Sequence, residues 1–241
     1  TMAERIGVTT INNATGNLKF PRVSNKAVGA EETEVAADNP STLALDELTL
    51  SPIRVAANTK YSKQLILQGG AQVDAMIARE LSAGINETID KAVFAKAATI
   101  AAGVDKDGSV AYSDLTTMQK NVLAAGGDLS ACAFVGSPSA MSILKGEAAV
   151  DSIRAVTEGN SIDGYTTYFT PNLIDPTANN GALLFGDFGL GMVLAFFGGI
   201  DLLVDPYSNA GTAQIALHVN KFYDTDVRQA GALAYLYDFT A

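Results

Sequence analysis

Apolar residues recur every four positions at Val73, Ile77, Leu81, Ile85, Ile89 and Val93. This spacing predicts one long amphipathic helix from Ala71 to about Ala102. Asp74, Arg79, Glu80, Glu87 and Lys91 fall mostly off the apolar stripe. At 1.5 Å per residue such a helix is about 45 Å long. Gly103 and the run Asp-Lys-Asp-Gly-Ser at 105–109 are expected to end it in a solvated turn.

The pattern on either side is different. Residues 6–23 alternate loosely as strands around Asn-Asn-Ala-Thr-Gly-Asn, whose Asn and Gly residues suit the positive φ of a hairpin turn. Residues 24–47 are polar, acidic and poor in large apolar groups, with Pro40 among them, and predict an arm or extended loop. A loop of that length in a compact domain is usually functional. Residues 48–62 resume strand character. After the long helix, Ser113-Asp114 reads as a cap before a helix through Leu123, and Cys132 to Val135 as a short strand. Ser137-Pro138 opens a further helix ending near Gly146, since proline suits a first helical turn. Successive strands then run to the end of the chain. Helices and strands intermixed in this way predict an α+β fold, and no internal repeat is visible.

Composition narrows the picture. The 241 residues are 48% hydrophobic and 17% charged, enough for a core in one large domain or two small ones. The longest apolar patch, Met192 to Phe197, falls far short of the ~20 residues a membrane span needs. The start lacks the basic and apolar regions of a signal peptide, and Thr1 ahead of Met2 suggests a processing or truncation point. Cys132 is the only cysteine, which excludes an intrachain disulfide and cysteine-rich zinc sites and fits assembly in the cytosol. Net charge is −10 with a pI near 4.5, and the 16 basic residues are scattered, which disfavours tight phosphate binding.

Candidate chemistry is sparse. Asp187-Phe188-Gly189 matches the tripeptide with which protein kinases hold magnesium. A kinase also needs an early-strand lysine, a Gly-rich loop and a His-Arg catalytic loop; no Gly-x-Gly-x-x-Gly precedes a candidate lysine, and the only histidine, His218, lies after the tripeptide and is followed by Val219. The tripeptide reads instead as a tight turn between buried strands, with Gly186 and Gly189 supplying positive φ. His218, the only histidine, sits in a strand pattern with Ala216 and Asn220 on its side and Leu217 and Val219 on the other. A Ser-His-Asp site would have to use it, yet no nucleophile elbow exists. Residues 105–109 lack the further ligands of a calcium loop. The sequence therefore predicts no catalytic, cofactor-binding or metal site, and no enzyme. The acidic arm, through Glu31, Glu32, Glu34 and Asp38, is a candidate subunit interface, with Lys120, Lys145 or Arg154 of a neighbouring copy as its partners.

The order of these pieces resembles the major capsid proteins of tailed bacteriophages, whose shell fold is shared with encapsulin compartments. Four stretches carry the likeness: Leu18 to Ile66, with the arm and its returning strand; the long helix; Ser113 to Lys145; and Leu183 to Leu236, with Phe185-Gly186-Asp187-Phe188 near its start. The resemblance implies N-terminal strands at 1–23, an extended β-hairpin loop at 24–47 and a peripheral domain at 48–112 built on the spine helix at about 71–102. It implies an axial domain with a mixed sheet at 113–215, and C-terminal strands at 216–241 that return to the peripheral and axial sheets. Function follows as self-assembly through pentamers and hexamers into an icosahedral phage or prophage shell around double-stranded DNA, held by weak non-specific contact. Scaffold, portal and maturation protease are the further partners it implies, with the virion as location and no membrane role. An encapsulin-type compartment is the alternative of the same fold, and a soluble hydrolase or transferase the alternative of another class. The chain departs from the family pattern in having no Trp in the loop and no lysine at its tip, where some relatives form an isopeptide cross-link, since Lys26 stands at the base. The N-terminal arm of the relatives is absent or very short.

Overall fold

The computed structural model describes residues 1–25, 44–69, 71–100, 102–146, 161–174, 177 and 180–240. Its longest element is the helix α3, Ala71–Ile100, preceded by the shorter α2, Lys63–Gly69. The four-residue spacing puts Leu81, Ile85, Ile89 and Val93 in the core, as the sequence pattern predicts. Among its described side chains, burial begins only at Leu81. Gln72, Ala75, Met76, Ala78, Arg79 and Glu80 in the first half are exposed.

α3 packs on one face of a five-stranded sheet organised around the long strand β12, Gln214–Val227. On one side β12 pairs antiparallel with β4, Ile53–Ser62. On the other it pairs antiparallel with β10, Met192–Phe196, and then with β11, Asp201–Asp205. β1, Thr9–Ile11, runs parallel to β10. Alternation follows the pleat. Leu217 and Val219 point to α3 with Val55, Ala57 and Tyr61, while Arg54, Asn58 and Lys60 stand on the outer face.

The second sheet has six strands. In order they are β5 (Ala102–Ser109), β13 (Leu233–Thr240), β9 (Gly181–Gly186), β6 (Ala133–Gly136), β8 (Tyr165–Phe169) and β7 (Ser161–Ile162). α4, Tyr112–Ala124, and α5, Pro138–Lys145, cover one face through Leu115, Met118, Val122, Ile143 and Leu144. Phe134 and Phe185 pack there with tilted rings, their centroids 4.4 Å apart. Ser137 caps α5, its hydroxyl accepting from Ala140 N–H at 3.1 Å. α4 begins one residue before its expected cap: Ala111 holds the cap position and gives its N–H to the Asp114 carboxylate at 2.7 Å.

Three expectations change. Residues 6–23 form no hairpin with each other. Asn13 and Gly16 do take positive φ, at 60° and 69°. The strands they separate part company: β1 joins β10, and β2, Leu18–Asn25, pairs antiparallel with β3, Ala44–Leu50. A one-turn helix, α1 (Met2–Arg5), precedes them. Residues 103–109 are not a solvated turn but most of β5, because β13 offers a parallel partner to a segment of weak intrinsic strand preference. Gly108, at φ +147°, lies where the β5–β13 register shifts. Finally, the stretch after β9 is a capped helical turn, α6 (Phe188–Gly191). The Asp187 carboxylate accepts from Gly189 and Leu190 N–H at 2.9 and 3.1 Å, which is ordinary helix capping. Gly186 has the expected positive φ, 152°, and a Cβ there would lie 2.1 Å from Ala232 O. Gly189 is helical, and its hydrogen atom makes room for Gly7 O instead.

α1 is tied down by one carboxylate. Asp90, near the middle of the buried part of α3, accepts from the N–H groups of Met2 and Ala3 at 2.8 and 3.0 Å and from Asn172 Nδ2 at 3.5 Å. Negative charge at a helix N-terminus is favourable, and Asp90 is 4% exposed. One side chain thus joins the N-terminal turn, the long helix and the segment after β8.

Candidate subunit interfaces

The ribbon β2–β3 belongs to neither large sheet. Its base is anchored: Leu48 and Leu50 are buried with Val193, Ala195 and Phe197 on the far side of β10. Ser51 N–H donates to Asp224 at 2.7 Å. Further out, cross-strand ion pairs replace core contacts, Lys19 with Glu47 and Arg22 with Asp46, each at 2.5 Å. The Arg22 guanidinium holds the Asp46 carboxyl below the usual carboxylate range. Leu45 is 64% exposed. The acidic residues Glu31, Glu32, Glu34 and Asp38, and Arg154, lie outside the described residues. Lys145 is described: it ends α5, exposed, with Nζ 5.5 Å from the Phe169 ring centroid. Lys120 is exposed on α4.

Beside scattered single residues such as Ile53, Leu123, Met141, Ile174 and Phe222, exposed large apolar side chains stand on three elements that bear on association. Leu45 is on the ribbon, Leu65, Leu67 and Met76 run from α2 into α3, and Ile200, Leu202, Leu203 and Val204 lie on and beside β11. Such groupings on a stable domain mark contact surfaces. After β11, Asp205 organises a turn by accepting from the N–H groups of Tyr207 and Ser208 and from the Ser208 hydroxyl. These bonds, first the Ser208 hydroxyl, hold its carboxyl below the ordinary value. Tyr207 at the tip is 85% exposed.

His218 is half-buried on the outer face of β12, opposite Asn58 of β4 and Leu203 of β11. It borders a shallow depression of about 310 Å³ that also touches Arg54. Ser208 gives its hydroxyl to Asp205, not to His218. Burial pushes the Cys132 thiol up to about 11, with the Asp187 and Asp128 carboxylates adding to the effect, so it carries little of the thiolate that nucleophilic chemistry needs. Among the described residues no three His, Cys, Asp or Glu side chains gather as a metal site, and no helix is long and apolar enough to cross a membrane.

The sequence pattern foretold the long helix. It missed Asp90, a buried acid that composition does not set apart from the charged Glu87 and Lys91 near it, and it missed the exposure of β11. The signal for Asp90 was present, since it adjoins Ile89 on the core side of the periodicity. β11 carried no such signal: Asp-Leu-Leu-Val-Asp has the look of a covered strand.

No curated protein sequence matches the chain. Solved structures match its fold closely. The capsid of a native GTA particle superposes with a TM-score of 0.75 at 19% identity, over 100% of this chain and 91% of that one. The structure from Mycobacterium phage Adephagia gives 0.74 at 16%, over 100% and 90%, and that from Gordonia phage Cozz 0.70 at 15%, over 100% and 86%. The sequence profile of the phage capsid family matches residues 1–238. With a long helix on a β12-centred sheet, a second mixed sheet and a ribbon standing off both, the chain belongs to the phage capsid family and is a capsid subunit of the phage type.

Proposed function

We propose that this chain is the repeated, non-catalytic subunit of a closed icosahedral phage or prophage shell, assembled through pentamers and hexamers around double-stranded DNA. The observation that carries the reading is the ribbon β2–β3. Among the described residues only its base packs on its own chain, and a two-stranded ribbon is marginal alone in water. A neighbouring copy supplies the missing support. The loop at 24–47 then reaches that neighbour, with Glu31, Glu32, Glu34 and Asp38 facing Lys145 and Arg154. The spine helix, with β4 beside it, makes a peripheral domain at 48–112, and residues 113–215 an axial domain. The strands of 216–241 return to both, which the placement of β12 in one sheet and β13 in the other supports.

Many modest contacts become a stable shell through closure. With a net charge of −10 the subunit holds DNA only weakly, which suits a cargo that must leave. A scaffold, a portal and a maturation protease act at assembly in the host cytoplasm, and the product is the virion. The test is electron microscopy of the expressed full chain, where closed shells are expected. Deleting residues 28–42 should abolish shells yet leave a soluble subunit with unchanged thermal unfolding. A large loss of subunit stability would place that segment in the core and end the reading.

A further inference from the structure

Three strands of the β12-centred sheet have an edge that carries no further strand among the described residues: β4 on one side of β12, and β11 and, beyond β10, β1 on the other. Unpaired edges present rows of free N–H and C=O groups, and proteins usually guard them with charge. Here the charges are sorted. β11 carries Asp201 and Asp205 at its ends and no basic residue, with Leu202, Leu203 and Val204 between them, each about half exposed. β4 carries Arg54 and Lys60 and no acid, and among the described residues neither cation has an ion-pair partner.

The register puts these groups in matching rows. Ala216 of β12 lies opposite Lys60 on one side and Asp205 on the other. His218 lies between Asn58 and Leu203, and Asn220 between Ala56 and Asp201. Both edge strands run antiparallel to β12, so they are parallel to each other. A second copy placed to continue the sheet without a shift in row therefore sets its Lys60 beside Asp205. Its Arg54 falls two residues from the Ala56 that faces Asp201, and all four charges lie on the same outer face. Strands about 4.8 Å apart bring such side chains within ion-pair reach. On the inner face, Leu202 and Val204 then cover themselves against Ala57 and Thr59 of the incoming β4.

We infer that β11 of one subunit pairs edge to edge, in parallel, with β4 of the next subunit. The contact is heterologous, one acidic apolar edge against one basic edge, so it propagates around a ring and never closes on a symmetric pair. The inference rests on the capsid reading above and names one contact through which it is realised.

The test is a cysteine pair, Asn58→Cys with Leu203→Cys, in the full chain. Within one subunit the two positions are two strand spacings apart, about 10 Å, too far for a disulfide, and Cys132 is buried. Oxidised particles of the double variant should run as a ladder of covalent multimers on a non-reducing gel, and particles of either single variant should not. Particles without a ladder, or a ladder from Leu203→Cys alone, overturn the pairing while leaving the shell reading intact. If the parent chain forms no particles, it is the shell reading that fails. As a second measure, Arg54→Glu with Lys60→Glu should cut shell yield roughly tenfold or more, because two like-charge contacts recur at every junction. Thermal unfolding of the subunit should barely move. An undiminished yield overturns the inference.

Discussion

β9 and β11 are short strands with paired leucines, and they end in opposite environments. β9, Gly-Ala-Leu-Leu-Phe-Gly, is buried at every position. β11, Asp-Leu-Leu-Val-Asp, is exposed at four of five. Composition does not separate them. β9 lies between β13 and β6, with α5 and α4 on one face and the α3 side of the core on the other. Among the described residues β11 has a strand on one side only, and Leu202 and Val204 on the inner face are exposed. The lesson concerns where a subunit keeps its contact energy. Apolar surface covered by its own chain stabilises the monomer, and the same surface left at a sheet edge remains for association. α3 repeats the contrast along its length: Met76 and Arg79 are exposed and no described side chain before Leu81 is buried, while from there Leu81, Ile85, Ile89 and Val93 line the core.

The contrast can be broken at its buried end first. Phe185→Ala should destabilise the dissociated subunit by about 3–5 kcal/mol in urea unfolding, because Phe185 is fully buried against Phe134 and Tyr165 and its removal leaves a cavity. A cost below about 1 kcal/mol would mean that β9 is not the closed core strand it looks to be. A smaller effect is expected in the long helix. Asp90→Ala removes the acceptor for Met2 and Ala3 N–H and should cost about 2–3 kcal/mol, whereas Glu80→Ala on the exposed part should stay within about 0.5 kcal/mol. Equal effects at the two positions would erase the distinction between the two parts. The smallest change should come from Leu203→Asn in β11. It should alter subunit stability by no more than about 0.5 kcal/mol and still lower particle yield, read by sedimentation. A loss of monomer stability comparable to that of Phe185→Ala would make β11 part of the core after all.

Much of this could be read along the chain. The long helix is set by a four-residue apolar period, and α5 by Ser137 ahead of Pro138, both local signals. The polar stretch at 24–47 showed, for the same reason, that the outer part of the ribbon has too little apolar surface to join a core. Only the folded arrangement could decide the partners. Nothing in Thr9 to Ile11 says that it will pair with Val193 to Ala195 instead of its own neighbour across the Asn13–Gly16 turn, because the register comes from residues about 180 positions away. The segment after the helix reads as a turn by composition and becomes β5 because β13 is there to receive it. Asp90 looks like a stray polar residue until α1 and Asn172 arrive at its oxygens. Side-chain periodicity is written into successive residues. Coverage of a strand's free edge depends on which other strands and which other copies come to lie beside it, and that is settled by packing at a distance.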